Sequence, residues 1–154
     1  MNAFHRIQVR LLHVLAWVVL GSAWLGCSSQ NFKNTWQERY FVASAAHDRE
    51  HYEEAEGHYE QLIKHAPTED ARRAALLGRA RLEEDRGKPT EALERYRALY
   101  EDDRRDRFGA HAMERTAGIK KESDPLEARA LLERLIVRYP DTIPAEHAVR
   151  DLRL

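Results

Sequence analysis

YEEAEGHYEQLIKHAP, from Tyr52 to Pro67, is the stretch whose reading decides the fold, because its key positions return twice further along the chain. Ala55, Ala92 and Ala128 stand 37 and 36 residues apart, and each follows a glutamate, Glu54, Glu91 and Glu127. Bulky residues recur four positions on, as Tyr59, Tyr96 and Leu132, and seven positions on, as Leu62, Leu99 and Leu135. Offsets of four and seven place these side chains on one helical stripe, beside an alanine small enough for a neighbouring helix to approach closely. A small residue also recurs twelve positions before each alanine, as Ala43, Ala80 and Thr116, so each unit reads as two helices joined by a tight turn. A period in the thirties signals a helical solenoid, in which no unit buries its apolar face alone.

The units cover residues 36–69, 73–106 and 109–142, and a last helix follows at 145–153. Helix one is expected from about Asn34 to Asp48 and helix two from Tyr52 to His65. Within helix two, Gly57 costs roughly 1 kcal/mol against alanine unless it faces another backbone. Thr68 is placed to cap helix three, with Glu69 and Asp70 in its first turn. Gly87 closes that helix and Pro89 opens the fourth. Pro67 and Pro140 both stand twelve positions after the unit alanine, whereas the middle unit has Arg104 there, inside the charged run Asp102 to Arg107. That run reads as a solvated loop. Helix five is expected from Phe108 to Lys121, and Asp124-Pro125-Leu126-Glu127 opens helix six with a cap, a first-turn proline and a glutamate suited to a capping box. A leucine at Ala92 should destabilise more than one at Ala98, which falls off the stripe.

The pattern resembles the tetratricopeptide repeat (TPR) family, through Tyr52, Ala55, Tyr59 and Pro67 in the first unit and Leu76, Ala80, Gly87, Ala92, Tyr96 and Leu99 in the second. The resemblance covers roughly residues 36–154 and implies an all-α fold, a TPR-like solenoid of about three helix pairs with a C-terminal capping helix. Arg79 and Arg115 stand where the family has a core leucine, and Glu83 where it has a tyrosine. Two arrangements suit them: an ion-pair cluster between units, or helix phases that turn these charges to solvent. Arg138-Tyr139-Pro140-Asp141-Thr142 and the following Pro144-Ala145-Glu146-His147-Ala148 are similar to junctions in BamD-type outer-membrane assembly lipoproteins and periplasmic Tol-Pal coordinator proteins.

Residues 1–26 read as targeting. Arg6 and Arg10 precede an apolar run from Leu11 to Gly26, interrupted only by His13, which is short for a membrane span of about 20 residues. The run ends at Leu25-Gly26-Cys27, which resembles the lipobox of bacterial lipoproteins, although Trp24 stands where leucine is usual. The resemblance implies cleavage before Cys27, the chain's only cysteine, and its acylation, with residues 27–33 as lipidated cysteine and polar tether. Palmitate and other acyl chains would then hold the protein at the membrane. Two other readings stay open: cleavage at Gly21-Ser22-Ala23, releasing a soluble periplasmic protein, or an uncleaved anchor. All three place the repeats across the inner membrane. By the lipoprotein sorting rule Ser28 points to the outer membrane.

A net charge of −1, with a third of the chain charged in mixed sign, gives no basic surface for nucleic acid. His51, His58 and His65 recur every seven residues, about 10.5 Å of helix, too far for two to share a metal. They read as solvent-exposed. His47 and His51 have a ligand spacing but flank a turn. No glycine-rich phosphate loop or serine elbow is present, so no catalytic residue, metal or cofactor is expected.

The reading is therefore a membrane-anchored periplasmic TPR scaffold that binds another envelope protein. Its rival is an accessory subunit of a cell-wall enzyme, or an enzyme with an unrecognised site. TPR geometry implies a binding groove lined by the first helix of each unit, with Tyr40, Ser44 and His47, then Leu77, Arg81 and Glu84, then Met113, Ala117 and Lys120 facing the ligand. Mixed charge among them suits a segment of a protein partner better than a uniformly charged ligand.

Overall fold

The structure, a computed structural model, describes residues 35–153. The expected signal segment (1–26), Cys27 and the expected tether lie outside the described residues. Two compact units divide the chain, residues 1–38 and 39–154; of the first, only residues 35–38, the start of a helix, are described.

The described residues form seven helices and no strand: α1 (residues 35–48), α2 (Tyr52–Lys64), α3 (Glu69–Asp85), α4 (Pro89–Tyr100), α5 (Arg107–Ser123), α6 (Pro125–Arg138) and α7 (Ile143–Leu152). From α2 onward each helix packs on the next, and α3 touches α5 and α5 touches α7. Contacts confined to nearest and next-nearest helices are those of a solenoid.

The repeated positions build the core. Ala55, Ala92, Ala128, Ala43, Ala80 and Thr116 are buried, as are Tyr59, Tyr96, Leu62, Leu99 and Leu135; Leu132 alone among the twelve is half-buried. Ala92 is wholly buried and Ala98 exposed, as the stripe requires. Two glycines admit aromatic rings. A Cβ on Gly78 would lie 2.5 Å from the Tyr59 ring, and one on Gly109 would lie 2.5 Å from the Tyr139 hydroxyl. Gly57, by contrast, faces open space, so nothing offsets its cost to α2.

The turns inside the first two units share one backbone solution. Gly87 takes φ +79°, with Gly87 N–H donating to Glu84 O and Lys88 N–H to Glu83 O. Glu50 stands 37 residues earlier at φ 62°, and Glu50 and His51 donate in the same pattern to His47 O and Ala46 O. Left-handed backbone is natural for glycine and strained for glutamate, so the first turn keeps the geometry without the residue that favours it. Thr68, Asp106, Asp124 and Thr142 cap α3, α5, α6 and α7 with their side-chain oxygens. The capping box at α6 is only half made. Asp124 accepts from Glu127 N–H at 3.0 Å, but its own N–H already bonds Lys120 O, and Glu127 pairs with Lys120 at 2.7 Å instead. Asp124 alone joins α5 to α6, so its amide ends one helix and is lost to the other.

Two expectations about charge are corrected. The run from Asp102 to Arg107 is not merely a solvated loop, for it holds Arg73, which is 3% exposed. Arg73 lies 2.5 Å from Asp102 and 2.6 Å from Asp106, and donates to Leu99 O at 2.8 Å. Arg79, Glu83 and Arg115 neither form one cluster nor all turn to solvent. Arg79 pairs with Glu56 and Glu60 of α2 at 3.1 and 3.0 Å. Arg115 pairs with Glu84. Glu83, 3% exposed, lies 3.8 Å from Lys88 and 3.6 Å from Arg95. Because α3 packs between α2 and α4, neighbouring turns of it meet different partners.

Candidate functional site

The first helices of the units stand in a row, tied by one polar link at each step. His47 of α1 bonds Asp85 of α3 at 2.9 Å. Glu84 of α3 takes two bonds from Arg115 of α5, at 2.9 and 2.7 Å. Glu114 of α5 meets His147 of α7 at 2.6 Å. Burial works against the charge of Arg115, but the hydrogen bond and charge of Glu84 outweigh it and raise its pKa. The Tyr96 hydroxyl donates to the same carboxylate at 2.7 Å, and its pKa is raised by burial first and by Glu84 second. Glu84 of α3 is thereby held by residues of two other helices, α4 and α5.

Each expected groove residue has a definite place on this row. On α1, Tyr40 is half-buried with its ring edge-on to Tyr59, 6.0 Å between centroids, and Ser44 is half-buried. The His47 side chain, 11% exposed, is tilted against Tyr52 and edge-on to Tyr59. It is not free for a ligand. On α3, Leu77 packs partly into the core, Arg81 is exposed, and Glu84 is the bridged carboxylate above. On α5, Met113 is 0% exposed and cannot touch a partner in this arrangement; the helix phase points it at the core. Ala117 is buried at the wall of a cleft, and Lys120 turns to Glu127 of α6. That hydrogen bond raises the Lys120 pKa. Among the histidines read as exposed, His51 and His65 are so, and His58 is half-exposed.

The cleft itself has a volume of about 540 Å³ and lies between α5, the first half of α6 and the end of α7. Its walls bring together two residues expected to face a partner, Glu84 and Ala117, with Ala128 and Leu132, expected only as stripe positions, and with Gly118 and Ala148. Leu132 is the least buried apolar member of the stripe because it faces this opening, a fact of packing that its spacing does not carry. A volume in the range of about 300–1,000 Å³ suits a ligand or a partner's anchoring side chains. Among the described residues no group of three His, Cys, Asp or Glu side chains is placed to hold a metal.

Comparison with protein-family models matches residues 111–142 to the tetratricopeptide repeat. Comparison with curated proteins and with solved structures gave no match. The matched segment takes in most of α5, all of α6 and the turn that follows, the third of the three helix pairs. Repeats of this kind are protein-interaction modules, typically without catalysis. With helix pairs at a regular spacing and that match in the third of them, the described residues form an all-α, TPR-like helical repeat fold.

Proposed function

We propose that the protein is an adaptor of the bacterial cell envelope, anchored through acylated Cys27 at the outer membrane and facing the periplasm, where its repeats hold another envelope protein during assembly of an envelope complex. The observation that carries the binding role is the cleft between α5 and α7, at the end of a row of helices whose other polar links are internally satisfied. The address rests on Arg6, Arg10, the apolar run and Cys27 in the sequence. Among the described residues no helix is long and apolar enough to cross a membrane, so attachment of the repeats depends on the preceding segment in this reading.

Each half has its own experiment. Replacing Cys27 by alanine should abolish incorporation of labelled palmitate and move the protein out of the membrane fraction, leaving its circular dichroism unchanged; membrane retention by the variant would refute lipid anchoring. A photo-crosslinking residue at Gly118, exposed in the cleft, should give adducts with an envelope protein that the same probe at Glu94, on α4, does not. Equal adducts from both positions would remove the cleft from the reading.

A further inference from the structure

The cleft has features that select among partners. α5 has 17 residues and α7, which runs beside it, has 10, a difference of seven. His147 lies level with Glu114, so α7 reaches Leu152 four residues, about 6 Å of helix, before α5 reaches Ser123. Between them the walls are small and apolar, with Ala117, Gly118, Ala128 and Ala148 around Leu132. Small residues let a helix backbone approach closely, and they leave room for bulky side chains from the other partner.

The charges are arranged in two tiers. At the inner end Glu84 is paired with Arg115 and Glu114 with His147, so those carboxylates are already satisfied. At the outer end Lys121, in the last turn of α5, and Asp151, in the last turn of α7, have no ion pair among the described residues. They carry opposite signs on opposite lips of one opening. A uniformly charged ligand would be attracted to one lip and repelled by the other.

We infer that the cleft takes a short amphipathic helix from a protein partner, with bulky apolar side chains one turn apart lying between α5 and α7, and with one acidic and one basic side chain meeting Lys121 and Asp151. This rests on the reading of the row as a protein-binding face and names what that face takes. Two apolar side chains at i and i+4 project from one side of a helix, with flanking charges beside them, which matches an apolar slot with charged lips.

The probe is a display library of short helical peptides with leucines at i and i+4 and randomised flanks, selected on the full chain and on two variants. Lys121→Glu makes both lips acidic, and Asp151→Lys makes both basic. Both residues are exposed, so the variants should keep the parent's circular dichroism. Selection on the parent should enrich peptides with one acidic and one basic flank, bound about tenfold more tightly than versions with two like flanks. Lys121→Glu should enrich two basic flanks and Asp151→Lys two acidic ones, whichever way the helix lies. The same enriched set on all three proteins, or no enrichment on any, overturns the inference. If the Gly118 crosslinks form while that happens, the protein-binding reading survives and only the helix is lost; if neither gives a signal, both fall.

Discussion

The second and third units end in different ways. The third closes with Tyr139-Pro140-Asp141-Thr142, where the Tyr139 ring is buried with its hydroxyl against Gly109 and Thr142 caps α7. The second closes with Glu101-Asp102-Asp103-Arg104-Arg105-Asp106, where Asp102 and Asp106 hold the buried Arg73 and Asp106 also accepts from Phe108 and Gly109 N–H to cap α5. Arg138, from the end of the third unit, donates to Asp102 O and so ties one turn to the other. A proline turn takes its backbone path from the chain's own local preferences, and here the Tyr139 ring adds a contact to Gly109. A charged turn without proline needs a partner 29 residues away in sequence to hold it.

If that contrast is right, Arg73→Ala should have the largest effect on stability of any change in either turn. It leaves two carboxylates beside a buried void, and breaking a buried pair of this kind typically costs about 3–5 kcal/mol. Pro140→Ala removes only a restriction on the unfolded chain and should lose about 0.4–1 kcal/mol. Urea melts of the two variants measure both; equal losses would mean that the turns are held in the same way. The aromatic closure of the third unit is tested by Gly109→Ala, whose Cβ would meet the Tyr139 hydroxyl at 2.5 Å and the Leu99 carbonyl at 3.2 Å. Because the second contact is backbone, the new methyl cannot be relieved by a rotamer change alone, and a loss of about 1–3 kcal/mol is expected by the same melts.

A smaller, pH-dependent effect separates the charged turn from the proline turn. The Arg104 N–H, and then Arg73 against the opposing effect of burial, hold the Asp102 carboxyl below the usual carboxylate range. A depressed folded pKa contributes stability that is fully present above the unfolded value of about 3.9 and is lost as pH falls through the folded value. Asp102→Asn should therefore flatten the fall in melting temperature on acidification below about pH 4, while Pro140→Ala leaves that slope unchanged. Parallel slopes for Asp102→Asn and the parent would remove Asp102 from the acid response. A small gain, not a loss, is expected at a position belonging to neither turn. Gly57→Ala, in open space on α2, should raise stability by about 0.5–1 kcal/mol, a gain in thermal melts that sets the scale of helix propensity against the packing losses above.

What was legible in the sequence follows from range. The helices and their caps were readable because spacing, Pro89, Pro125, Thr68 and Asp124 act on neighbours within a turn or two. The repeat register was readable because each unit meets the same neighbours, so the same small and large residues return. Of the residues expected to face a partner, Glu84 and Ala117 line the cleft, while Met113 is swallowed by the core and His47 by Asp85 and two aromatic rings.

By itself, then, the sequence determined an all-helical array in pairs, with its stripe of alanines and bulky residues, because those features depend on periodicity along one chain. Only the tertiary structure decided which charge meets which. Arg73 with Asp102 and Asp106, Arg79 with Glu56 and Glu60, and Arg115 with Glu84 are each drawn from different helices. Long charged side chains have several partners within reach at every turn, and sequence spacing carries no record of how far one helix has slid or rotated against the next. The cleft depends on the same quantities, since its opening is set by where α7 lies along α5.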